Sequence, residues 1–246
     1  MADEPVRIQV CGALAVEVAG ARVEDRLPGP QGRRAFAFLV VRRQAPVDRD
    51  ELVEAVWSAP TTDATFMALV SKLRRVTPVV LREGQLRLDL PPAAWVDLEA
   101  ARDAMHRAES AAAQEQWGRA WGAAQTALFT ARRSFLPAHP APWAADVRHE
   151  LQLMLERALE VYADAALHVG RTELATAVRA SRELCGLAPF RESGYRLLMR
   201  SLAAEGNTAE ALRVYDDLRR RLGDELGIRP SPQTQDLYQS LLAEAG

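Results

Sequence analysis

The chain has 246 residues, with 31 Lys+Arg against 33 Asp+Glu, a net charge of −2, and 48% hydrophobic and 26% charged residues. That balance excludes a disordered or collagen-like chain and a bulk polybasic nucleic-acid binder, and at roughly 150 residues per domain it leaves room for one large or two small domains. No run of about 18 apolar residues is present to cross a membrane, the acidic start MADEPVRIQV lacks the basic-then-apolar order of a signal peptide, and two cysteines make no disulfide framework, so a cytoplasmic chain with Cys11 and Cys185 as small core residues is expected.

In chain order, Val6, Ile8 and Val10 alternate, as do Leu14, Val16 and Val18, and a turn at Gly20 leads to Val23. Period-two alternation broken by glycine predicts short antiparallel strands. Three helix-length segments follow, Arg34 to Val41, Arg49 to Trp57 and Asp63 to Val76, separated by Pro46 and by Ser58 to Thr62. A hairpin then runs from Val79 to Leu81 and from Leu86 to Leu90 around Glu83-Gly84, with Leu86, Leu88 and Leu90 on one face.

After Pro91-Pro92 the pattern becomes helical. Leu151, Leu155, Ala158 and Tyr162 recur at spacings of three and four, as do Ala211, Tyr215, Leu218 and Leu222, which predicts amphipathic helices. Arg132 to Trp143 is the long irregular segment. Ala166 to Ala175 resembles Leu202 to Ala211, with Gly170 and Gly206 in equivalent turns, and a poorer third copy centres on Gln116-Trp117. Helix pairs repeating at about 34 residues are the tetratricopeptide pattern, in which stacked pairs bury a face that one pair cannot bury alone. Gln233 to Leu242 reads as a capping helix through Leu237, Leu241 and Leu242.

Catalytic patterns are missing. His106, His139, His149 and His168 are scattered, without HExxH or Cys/His metal spacing, and no GxSxG, P-loop or GxGxxG occurs. Carboxylates such as Glu156 and Glu160, beside Arg157, read as solvated helix faces. No catalytic set, metal or cofactor is expected, and no enzyme. The informative segment is Ala64 to Val76. Phe66, Leu69, Val70 and Leu73 form one apolar stripe at 100° per residue. The opposite face carries Ala64, Met67, Ala68, Ser71, Lys72 and Arg75, flanked by Arg74. Lys72 to Arg87 holds five bases and one acid, and Arg33, Arg34, Arg42 and Arg43 form a second positive cluster. A short helix followed by a basic hairpin is what a winged helix needs: the helix enters the major groove and arginines of the wing meet phosphate.

With these pieces in place, the chain resembles transcriptional regulators of the Streptomyces antibiotic regulatory protein type over nearly its whole length. Gly29-Pro30, Arg34 to Leu39, Pro46 to Leu52 with Trp57, Val70 to Arg75, and Leu86 to Pro91 resemble the OmpR-type winged helix, assigned to residues 1–92. Phe135-Leu-Pro, Ala141-Pro-Trp143, Pro189 to Glu192, Gly206 with Ala209 to Leu212 and Tyr215, and Gly223 to Pro230 resemble the bacterial transcriptional activator domain, assigned to residues 97–246. Trp57, Trp143 and Tyr215 read as core. The resemblance implies an α+β winged helix-turn-helix domain followed by an all-α tetratricopeptide-like helical repeat domain. It also implies an activator that binds double-stranded DNA at promoter direct repeats, as two copies, and contacts RNA polymerase. Members commonly control clustered biosynthetic genes in actinobacteria, which the one Lys against 30 Arg suits.

On this resemblance Ser71, Lys72, Arg74, Arg75, Met67 and Ala68 meet DNA from the recognition helix. Arg82 and Arg87 meet the backbone from the wing, with Arg33 and Arg34 alongside. The sequence departs from the family where polar readout residues are usual and Ala64, Met67, Ala68 and Leu69 stand instead. Base edges are read through paired hydrogen bonds by Arg, Lys, Asn and Gln, so readout should rest on Lys72 and Arg75. The alternative is a protein-interaction module whose degenerate winged helix no longer reads DNA.

Overall fold

The computed structural model describes residues 5–57, 59–137 and 141–245; Ser58 and His139 lie outside the described residues. The chain divides into two compact units, Met1–Ala100 with Arg133–Glu150, and Ala101–Arg132 with Leu151–Gly246.

The first unit begins with the expected strands. β1 (Val6–Gln9) pairs antiparallel with β2 (Ala15–Val18), Ile8 facing Val16, and both side chains are buried. Ala19 and Gly20, both at positive φ, turn the chain into β3 (Ala21–Arg22). α1 (Gly29–Val41) starts five residues earlier than the apolar run suggests. Its first turn is polar, so hydrophobic spacing cannot show it, but Pro30 is preorganised for that position. A β-carbon on Gly32 would come within 2.4 Å of the Pro28 ring. A two-residue strand, β4 (Val47–Asp48), leads into α2 (Arg49–Trp57) and α3 (Asp63–Arg74). The hairpin β5 (Val79–Arg82) and β6 (Gln85–Leu88) turns through Glu83 at φ 51° and Gly84 at φ 81°, the paired positive φ of a tight primed turn. β4 pairs with β6, making the wing a three-stranded sheet in the order β4-β6-β5. Two-residue strands are too short for alternation to reveal. Phe36, Leu39, Leu52, Leu73 and Leu86 close the core between the helices and this sheet.

β7 (Trp95–Val96) joins β1 in parallel, in a sheet ordered β3-β2-β1-β7. Immediately after it, Asp97 is 1% exposed. Its carboxylate accepts the backbone N–H groups of Val10 at 2.9 Å, Cys11 at 3.0 Å and Leu98 at 2.8 Å. The segment 133–150 also belongs to this unit. Gly12 N–H donates to the Ser134 carbonyl at 2.9 Å, Cys11 bridges Phe135, and Trp143 lies edge-on to Phe38 and Phe135 while donating to the Ala55 carbonyl at 3.1 Å. Trp143 and Trp57 are half-buried rather than fully enclosed.

The helices continue as α4 (Asp97–Ala113), α5 (Trp117–Ala131), α6 (Pro142–Val169), α7 (Leu174–Leu187), α8 (Glu192–Ala204), α9 (Thr208–Leu226) and α10 (Pro232–Ala245). The repeat seen in sequence is kept only in part as a repeat of turns: Gly170, at φ 69° and ψ −161°, leads into a short 3₁₀ turn and does not match the turn at Gly206. Gly206 sits at φ 84°, and the next N–H, of Asn207, donates to the Leu202 carbonyl at 2.8 Å. Glu115 sits at φ 56°, and Gln116 N–H donates to Ala111 at 2.9 Å, the same six-residue closure. Gly227, at φ 69°, ends α9 by a different closure, its own N–H on the Gly223 carbonyl at 3.1 Å and Ile228 N–H on the Leu222 carbonyl at 3.2 Å. The first two are Schellman caps and the third is an αL cap; in each, one residue in left-handed conformation ends a helix and satisfies its last carbonyls. The left-handed position accounts for Gly227 within the string Gly223 to Pro230.

Ala211, Tyr215, Leu218 and Leu222 form the buried face of α9, packed with Tyr195, Leu198, Met199 and Leu202 of α8. α10 closes that cluster with Leu241, whereas Leu242 is 45% exposed and takes no part in the cap. Glu192, at the start of α8, accepts from Ser231 N–H at 2.9 Å, Ser231 Oγ at 2.7 Å and Thr234 Oγ1 at 2.6 Å, fixing where α10 begins. Glu156 and Glu160 are not the solvated face expected of them: Arg191 reaches both, at 3.4 and 2.8 Å, and Arg157 pairs instead with Glu109.

Candidate nucleic-acid interface

α3 carries its division of labour in its sequence. Thr62 Oγ1 accepts the Thr65 N–H at 3.3 Å and caps the helix, and Arg49 ties the start of α2 to Asp63 at 2.5 Å. Phe66, Leu69, Val70 and Leu73 are 6% exposed or less, so the stripe anchors the helix in the unit. Leu69 therefore belongs to the core and is not a readout position. Ala64, Met67, Ala68, Ser71, Lys72 and Arg75 are all exposed, on one face, and the helix holds no acid after Asp63.

At the other end of α3, Thr77 Oγ1 donates to the Leu73 carbonyl at 3.3 Å, and Arg74 Nε donates to the Val79 carbonyl at 3.1 Å. Arg74 thus connects α3 to the first wing strand, a role the sequence did not reveal. In the hairpin, Val79 pairs with Leu88 and Leu81 with Leu86, while Val80 pairs with Arg87 and Arg82 with Gln85. The alternation sends the leucines of β6 inward and leaves Arg82 and Arg87 exposed. Pro46, Val80, Arg82, Gln85, Arg87 and Asp89 line a shallow recess of about 270 Å³ on that outer face.

The second positive cluster is engaged within the unit. Arg34 Nη1 donates to the Val56 carbonyl at 2.9 Å and Arg33 pairs with Asp25 at 3.4 Å. Arg42 pairs with Glu51 at 3.2 Å, and Arg43 holds Glu99 in a two-point ion pair at 2.5 and 2.6 Å. The exposed cations brought together by α3 and the wing are Lys72, Arg75, Arg82 and Arg87, with Arg74 pinned beside them. Among the described residues, no group of three or more His, Cys, Asp or Glu is placed to hold a metal ion, and no helix is long and apolar enough to cross a membrane.

Residues 96–242 match the bacterial transcriptional activator domain. The chain belongs to that family. The activator-domain match covers the helices from the start of α4 into α10, and the resemblance to the Streptomyces antibiotic regulatory protein type holds. Regulatory protein AfsR of Streptomyces coelicolor is 31% identical over 223 residues, which is 87% of this chain and 22% of AfsR. Transcriptional regulatory protein MoaR1 of Mycobacterium tuberculosis is 26% identical over 255 residues, covering 97% of this chain and 80% of MoaR1. This activator-domain chain thus spans about a fifth of the length of AfsR and most of that of MoaR1. Among solved structures, Mycobacterium tuberculosis EmbR in complex with low affinity phosphopeptide superposes with a TM-score of 0.84 at 22% identity, over 98% of this chain and 66% of EmbR. The fold is therefore the winged helix followed by helical repeats that the sequence predicts.

Proposed function

We propose that this chain is a sequence-specific DNA-binding transcriptional regulator of the activator type, with residues 1–92 as the DNA-binding domain and 97–246 as the activator domain. The observation that carries the reading is the exposed, acid-free face of α3 ending in Ser71, Lys72 and Arg75, beside a wing whose outward positions are Arg82 and Arg87. An α-helix fits the major groove, and phosphate contacts fix its register while base-edge contacts give specificity. Lys72 and Arg75 serve on the helix, Arg82 and Arg87 on phosphate, and Arg74 holds the wing. Two copies bind direct repeats near a promoter, and the regulator contacts RNA polymerase; the names of AfsR and MoaR1 support a regulatory role.

Titrating binding of a promoter duplex against salt tests this. Arg82 and Arg87 on phosphate predict a slope of log affinity against log salt of about −1.8 per copy, and each one replaced by Gln removes about 0.9. Arg75→Ala should weaken binding by roughly 1–3 kcal/mol if Arg75 pairs with a base. Charge reversal at Lys72 and Arg75 should abolish binding. The exposure of Met67, at 47%, favours the alternative of a protein-binding face. Salt-insensitive binding, or a charge-reversed chain that binds and regulates normally, would establish that alternative.

A further inference from the structure

The exposed face of α3 has two chemically different halves. Its C-terminal half offers Ser71, Lys72 and Arg75, and its N-terminal half offers Ala64, Met67 and Ala68. The polar groups near that N-terminal half are already occupied. Thr65 Oγ1 pairs with Thr62 Oγ1 at 2.9 Å, and Asp63 is held by Arg49 at 2.5 Å. Met67 nevertheless stands 47% exposed, in line along the helix with Ser71 and the Arg75 turn. An apolar surface that continues into a basic one, with no acid between them, complements a groove whose walls are phosphate and whose floor includes methyl groups.

Resting on the DNA-binding reading, we propose that Ala64, Met67 and Ala68 determine specificity by packing on the 5-methyl groups of pyrimidines in the major groove. Thymine carries such a methyl, and it is the major-groove feature that a side chain without donors or acceptors can recognise. Over a cytosine edge the same residues would cover an amino donor and give it no partner, which costs affinity. Discrimination therefore has an attractive and a repulsive part. Burying one methyl group is worth about fourfold in affinity. The operator carries 5-methylpyrimidines opposite the N-terminal half of α3 and guanine or phosphate contacts opposite its C-terminal half.

The probe is a duplex enriched by the full chain from a randomised pool and then synthesised in four forms: with thymine, with deoxyuridine in place of thymine, and with either 5-methylcytosine·guanine or cytosine·guanine at single contacted T·A positions. The deoxyuridine duplex, lacking only the methyls, should bind about fourfold more weakly per contacted position. A 5-methylcytosine should hold affinity better than unmethylated cytosine at the same position. Met67→Gln, at an exposed site that the fold does not use, should still bind but lose most of the thymine-over-uracil preference. Equal binding of the thymine and deoxyuridine duplexes overturns the proposal and leaves DNA binding intact. A preference that persists unchanged in Met67→Gln overturns it too, because the methyl effect then comes from the duplex itself. Failure to enrich any duplex removes the DNA-binding reading, and this proposal with it.

Discussion

Asp97 shows how much one side chain can organise. It is 1% exposed and accepts three backbone N–H groups, two from Val10 and Cys11 just after β1 and one from Leu98 at the start of α4. Burial pushes its carboxyl up, against the pull of those donors. Asp97→Asn keeps the shape but turns an acceptor into a donor facing N–H groups, and should lower stability by about 1–3 kcal/mol in urea unfolding. Glu24 behaves oppositely. The Arg22 guanidinium, 2.5 Å away, holds its carboxyl down at about 2, helped by the Val16 N–H. Because the folded value lies below the unfolded one, this contribution to stability is complete above the usual carboxylate range and fades as the pH falls toward 2. An acid titration of stability should show a shallower loss in that window for Glu24→Gln; an unchanged acid limb would contradict it.

At the scale of elements, the left-handed helix caps give a paired test. Gly227 sits at φ 69° with nothing within 4 Å of a β-carbon, so Gly227→Ala meets no clash and pays only for the left-handed backbone, about 1–2 kcal/mol. Glu115 occupies the left-handed position of its own cap at φ 56° without being glycine. Glu115→Gly should therefore raise the melting temperature while Gly227→Ala lowers it. If the two shifts share a sign, left-handed backbone strain does not set them. Glu115 and Gly206 share one closure, which explains the weakness of the first repeat in sequence: its turn geometry is kept while its glycine is not.

For the whole molecule, the cysteines report separately on the two compact units, Cys11 in the first and Cys185 in the second. Both are buried, and burial pushes the Cys185 thiol up to about 12. Thiolate is the reactive form, so neither should label with a maleimide at neutral pH until its unit opens. Site-resolved labelling rates in increasing urea should then follow each unit's own unfolding; rapid labelling of native protein would show a burial that is not maintained. The net charge of −2 conceals a local arrangement in the same way. Arg33, Arg34, Arg42 and Arg43 all have partners inside the first unit, while Lys72, Arg75, Arg82 and Arg87 stand exposed on α3 and the wing.

Sequence by itself determined the elements whose signal is local. α2 matches its expected bounds, the stripe of α3 is buried as its spacing requires, and the wing leucines Leu86 and Leu88 point inward, because periodicity records which face meets a core. It also contained the family's motifs. What it could not contain were relations between distant residues and backbone groups. The two-residue strands β4 and β7 exist because partners were already in place to receive them. Segment 133–150 belongs to the first unit through Phe135 and Trp143, a hundred residues from the groups they meet. Arg34 and Arg74 look like free cations in one dimension and are hydrogen-bonded to carbonyls in three. A charge in a sequence fixes only what a residue is able to bind; the tertiary structure decided which of those partners lies within reach, and so which cations remain exposed.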